Sequence, residues 1–156
     1  IEHLALLVSI KERSHTIAGN VRKYGEQKYG PMWAEGYAEL PDNRTVFLQQ
    51  SQSEEKVDEV LEIDIPYSSD YPFRIHLRYN LRRDEINTFE MRQSNNKPIF
   101  AYGISDRPGQ GTRVPEKLMK SDILSQADEM LQLVEIASEK IMSEKPKLSL
   151  EGAAIL

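Results

Sequence analysis

The chain has 156 residues, 39% hydrophobic and 29% charged, with a net charge of −5. This is an ordinary globular composition, which excludes collagen, coiled-coil rods and wholesale disorder, and the length suits one domain with a sizeable core. There is no cysteine, so thiol nucleophiles, iron–sulfur clusters, cysteine zinc sites and disulfides are excluded together.

Residues 1–29 read as a helix, with a strand from Leu4 to Ile10 as the alternative because that run is short and apolar on all sides. Ile10, Ser14, Ile17, Val21 and Tyr24 recur at alternating spacings of four and three, which puts them on one helical face. Leu4 and Leu7 are expected to extend that stripe. Gly30-Pro31 ends it, because proline disfavours a helical conformation in the residue before it.

Residues 32–50 read as a hairpin. Ala34, Gly36, Ala38 and Leu40 alternate with larger or charged residues, and Pro41-Asp42-Asn43 supplies turn chemistry. The small residues on one face call for a close-packed neighbour, most simply a helix across the sheet. Residues 51–57 are almost devoid of apolar side chains and are expected to form a loop or short surface helix.

The clearest strand pair follows. Leu61, Ile63 and Ile65 alternate with Glu62 and Asp64. Past a turn at Ser68-Ser69-Asp70, Ile75, Leu77 and Tyr79 alternate with Arg74, His76 and Arg78. Phe89 and Met91 mark a further strand, Asn95-Asn96 a turn, and 99–104 another strand. Residues 106–115 are a loop rich in proline and glycine. The last helix spans 116–143, with Ser121-Asp122 able to cap a start and Ile123, Ala127, Met130, Val134, Ala137 and Ile141 on one stripe. Leu124, Leu131 and Leu133 widen that stripe, and Pro146 stops the helix.

The order helix, about six antiparallel strands, long helix predicts an α+β fold with the C-terminal helix packed on the sheet. Residues 1–146 are expected to form a single domain. Residues 147–156 form a tail whose Leu148, Leu150, Ile155 and Leu156 are expected to dock on the sheet, on a second copy or on another protein.

One short stretch resembles the central hairpin of ubiquitin-conjugating and RWD domains. It comprises Leu61-Glu62-Ile63-Asp64-Ile65-Pro66, then Asp70-Tyr71-Pro72-Phe73 and a strand. The resemblance covers about twenty residues. It implies a helix followed by an antiparallel meander. Ile75 and His76 stand near the place of the second proline after Tyr-Pro, and the connection before Tyr71 is longer than usual. With no cysteine and no His-Pro-Asn motif, the chain lacks what conjugating activity would need.

Charge is segregated along the chain. Residues 31–70 carry two basic and ten acidic groups, and residues 71–120 carry ten basic and five acidic. Arg74, His76 and Arg78 share one strand face, and Arg82 and Arg83 follow in a turn. This cluster is the best candidate for binding phosphate, nucleic acid or an acidic partner. If the strand of Glu62 and Asp64 lies beside it, cross-strand ion pairs consume the charge. Arg107 and Arg113 flank Gly109 and Gly111 in a loop without phosphate-loop spacing.

No catalytic constellation is legible. Ser14 and His15 are adjacent and so point in different directions on a helix. No metal is expected: His3 and His15 lie about 18 Å apart along the helix axis, and no His-Glu-x-x-His spacing occurs. No cofactor is expected either. No apolar run reaches the roughly 18 residues that a membrane span requires. The expectation is a small, acidic, soluble module of cytoplasmic or other intracellular location. It is non-catalytic and binds a protein partner or a second copy of itself. The alternative is a helix-grip binder of small molecules, with Trp33, Tyr37, Phe47, Phe89, Phe100 and Tyr102 lining an apolar cavity. A third reading is nucleic-acid binding through Arg74, Arg78, Arg82 and Arg83.

Overall fold

The computed structural model describes residues 3–30, 35–39, 44–53, 56–68, 73–93, 100–104 and 121–143. The first helix, α1, spans His3–Tyr29. The strands are β1 (Glu35–Glu39), β2 (Thr45–Ser53), β3 (Lys56–Ile65), β4 (Phe73–Asn80), β5 (Glu85–Gln93) and β6 (Phe100–Ile104), and the second helix, α2, spans Ser121–Ser143. The architecture is therefore α+β: a helix, an antiparallel sheet and a helix. Strands neighbour one another in chain order, a plain meander. The described sheet side chains of the core lie on β2, β3, β4 and β5.

Period-two alternation gives the sheet two unlike faces. On one face the register lines up Val46, Ile63, Leu77 and Phe89, and beside them Leu48, Leu61, Tyr79 and Ile86. A third row holds Ile65, Ile75 and Met91. All eleven are buried, and they share one core with Leu6, Ile10, Ile17, Ala18 and Val21 of α1 and Leu124, Ala127, Met130, Leu131 and Val134 of α2. Both helices thus cover the same face. Burying each large apolar side chain contributes about 1.5–3 kcal/mol, so this face supplies most of the driving force.

The helices run parallel to each other. Ser9 donates to Asp128 and Asn20 donates to Ser138, so residue numbers rise together along both. Between these contacts Arg13 reaches Glu135 at 2.6 Å and Asp128 at 3.4 Å. Burial disfavours the Arg13 charge, but the two carboxylates outweigh it and raise its pKa further.

Several expectations are corrected. Leu4 is 73% exposed, and the buried residue of that turn is Leu6. Leu6 stands four positions before Ile10, whereas six positions carry Leu4 off the stripe at 3.6 residues per turn. Within 51–57, residues 51–53 and 56–57 belong to strands rather than to a loop or helix: Ser51 pairs with Asp58 and Ser53 with Lys56, while 54–55 lie outside the described residues. Backbone pairing extends this hairpin where apolar alternation is lacking. The helix does end where Gly30-Pro31 was expected to end it: Gly30 has a φ of +92°, a left-handed conformation that glycine adopts without strain, and Pro31 lies outside the described residues. The Gly30 N–H donates to the Glu26 carbonyl at 2.9 Å, a C-terminal cap.

Helix positions 116–120, the loop at 106–115 and the tail at 147–156 lie outside the described residues, as do the turns at 41–43 and 95–96. Arg107, Arg113, Leu148, Leu150, Ile155 and Leu156 therefore have no structural description. Among the described residues no helix is long and apolar enough to cross a membrane.

Candidate functional site

The second sheet face is built from the residues between the core positions. Its register lines up Phe47, Glu62, Arg78 and Thr88 in one row. The next row is Thr45, Asp64, His76 and Glu90. Beyond it Arg74 stands directly opposite Arg92. β3 thus offers acids, β4 bases, and β5 both signs. These side chains are half-buried or exposed, in contrast to the core face.

The pairing expected between the strand of Glu62 and Asp64 and that of Arg74, His76 and Arg78 is present, and the acids share the face of the bases. His76 Nε2 lies 3.1 Å from Glu62 Oε1, and Arg92 pairs with Glu90 at 3.2 Å along its own strand. Arg74 and Arg92 are like charges at directly opposed positions, an arrangement that costs stability in an antiparallel pair. Asp64, Arg74, His76, Glu90 and Arg92 line an open depression of about 380 Å³.

The arginine cluster read from the sequence divides. Arg74, His76 and Arg78 lie on this face. Arg82 and Arg83 lie in the turn between β4 and β5 and do not line the depression. That turn is built by Asn80, whose side-chain oxygen accepts from the backbone N–H of Arg82 and of Arg83, each at 3.1 Å. Glu90 and Arg92 were not among the candidates. Their signal was the alternation of Glu90 and Arg92 with Phe89 and Met91, which places them on the face opposite the core.

A bulge interrupts β5 where Arg78 pairs with Thr88 but Tyr79 pairs with Ile86, so Asn87 is the extra residue. The bulge keeps Tyr79 and Ile86 on the core side while the strands twist into the turn. Tyr79 is fully buried, and its hydroxyl donates to Asp84 at 2.9 Å. His15 of α1 bonds the same carboxylate oxygen and meets the Tyr79 ring edge-on at 5.6 Å. The bonds from His15 and Tyr79 hold the Asp84 carboxyl below its ordinary pKa. Asp84 has a φ of +51°, a left-handed turn position that aspartate tolerates better than most residues. Ser14, by contrast, is buried and donates to the Ile10 carbonyl at 2.6 Å, so the adjacent Ser14 and His15 serve separate structural purposes.

The aromatic set proposed for an apolar cavity is split between faces. Phe89 is fully buried under the helices, whereas Phe47 alternates with Val46 and Leu48 and shares the face of Glu62. The Trp33, Tyr37, Phe100 and Tyr102 side chains lie outside the described set.

Comparison with protein-family models, with curated proteins and with solved structures finds no match to this chain.

Proposed function

We propose that the chain is a non-catalytic protein-interaction module that binds through the open face of its sheet. The observation that carries this reading is the ordered mixture of charge on that face. A surface for nucleic acid gains from uncompensated positive charge along a phosphate track. Here the row of Asp64, His76 and Glu90 interrupts the arginines, and Glu62 stands opposite Arg78. Such a mosaic suits a protein surface that presents both an acidic and a basic side chain. Charge complementarity of this kind selects a partner and fixes its register more than it adds affinity.

The partner reading is tested by placing a photo-crosslinking residue at Arg78 on this face, and separately at Gln132 on the exposed side of α2, in the chain's native extract. A discrete adduct from position 78, absent from position 132 and lost on Arg74→Glu with Glu90→Arg, is the expected result. Adducts from position 132 alone would place the interaction on the helices. Salt-sensitive, sub-micromolar binding of an oligonucleotide that is lost on Arg78→Glu would replace the protein partner with nucleic acid.

A further inference from the structure

We infer that Glu62, Asp64 and His76 form a binding site for a divalent transition-metal ion of the zinc type. The inference is independent of the protein-partner reading. Among the described residues, one ligand atom from each of these three side chains lies within 4.8 Å of the other two. Their placement follows from the strand geometry. Glu62 and Asp64 are two apart on β3 and so point the same way, and His76 is the cross-strand partner of Asp64 on β4.

The closest pair already has the right separation. His76 Nε2 and Glu62 Oε1 are 3.1 Å apart. Two ligand atoms each about 2.0–2.1 Å from a single ion, at tetrahedral to octahedral angles, lie roughly 2.9–3.4 Å from each other. An ion between them replaces the hydrogen bond with two coordinate bonds and needs no backbone movement. Asp64 closes the third position by a rotamer change, and it carries no ion pair among the described residues that this would break. One imidazole and two carboxylates is a donor set that suits zinc and its neighbours better than magnesium or calcium, which favour all-oxygen sites. The three ligands come from one open face, so further coordination positions face solvent. Arg78, in register with Glu62, and Arg74 nearby set the opposing term: they repel the cation and hold its affinity to a moderate value.

The test is calorimetric titration of the full chain with zinc chloride, paralleled by cobalt(II) absorption in the visible range. The absence of cysteine keeps thiolate bands out of the cobalt spectrum. Saturable one-to-one binding is expected, weakened at least about tenfold by His76→Ala and clearly weakened by Asp64→Asn. His15→Ala is expected to leave it unchanged, because His15 is engaged with Asp84 on another part of the surface. All three replacements are at half-buried or exposed side chains, and circular dichroism without metal verifies that each variant is folded. No saturable binding up to about 1 mM zinc, the weak end of specific affinities, would overturn the inference. So would binding that survives His76→Ala and is lost with His15→Ala or His3→Ala.

Discussion

The two faces of the sheet come from the same strands, yet they obey different rules. On the covered face, Val46, Ile63, Leu77 and Phe89 form an unbroken apolar row, each buried in the core that the sheet shares with the helices. Their value lies in area removed from water, so almost any change of volume is costly. On the open face, Thr45, Asp64, His76 and Glu90 occupy the neighbouring row. Electrostatic interactions among them and with their neighbours are screened by solvent, and they contribute little to stability. The difference teaches which residues a function can be assigned to. Packing accounts for the side chains on the covered face, whereas packing does not account for the directly opposed Arg74 and Arg92 on the open face.

The contrast is broken most forcefully from the covered side. Phe89→Ala should cost about 3–5 kcal/mol and Leu131→Ala about 2–5 kcal/mol in urea unfolding. A loss under about 0.5 kcal/mol at either position would mean that the site is not in the core. Next in size is the link between the helices. Arg13→Met removes a guanidinium shared by Glu135 and Asp128, and the loss expected is about 1–2 kcal/mol, since the partners are roughly one-fifth exposed and hydrogen bonds to charged groups are worth up to a few kcal/mol. An unchanged denaturation midpoint would show that the network is ornamental. On the open face, Arg78→Glu should cost about 1 kcal/mol or less, even with Glu62 opposite.

The smallest effect appears only in acid. The folded-state pKa of Asp84 is lower than its unfolded value, so its contribution is present at neutral pH and is lost as pH falls from the ordinary carboxyl range through the lowered value. His15→Ala removes the first cause of that lowering. The variant should therefore lose less stability than the wild type on acidification below the ordinary carboxyl range. Parallel curves for the two proteins would show that the pair does not couple to folding.

How much of this was legible depended on which signal each segment carried. Strands β3 and β4 announce themselves because Leu61 to Ile65 and Ile75 to Tyr79 alternate strictly, and the opposite charge of the intervening residues points to their pairing. The stripe on α2 is equally plain. The end of β2 and the start of β3 are not, because Gln50 to Glu55 hold no apolar side chain and the pairing is made by backbone groups that every sequence possesses. At the start of α1 four leucines and valines lie close together, and composition cannot tell Leu4 from Leu6; only the phase set by Ile10 can. The candidate site was half legible. Arg74, His76 and Arg78 followed from alternation, but the close grouping of His76 with Glu62 and Asp64 depends on a cross-strand register that no local pattern fixes.

The division between faces is tested most directly by urea unfolding of a single variant in which Arg74, Arg78, Glu90 and Arg92 are all replaced by serine. Because these side chains sit on the open face, the variant should retain the wild-type stability to within about 2 kcal/mol, in keeping with the small worth of exposed ion pairs and with relief of the Arg74 and Arg92 repulsion. A loss as large as that of Phe89→Ala alone, about 3–5 kcal/mol, would contradict the account. It would make the charged face part of what holds the fold together and remove the ground for assigning binding to it.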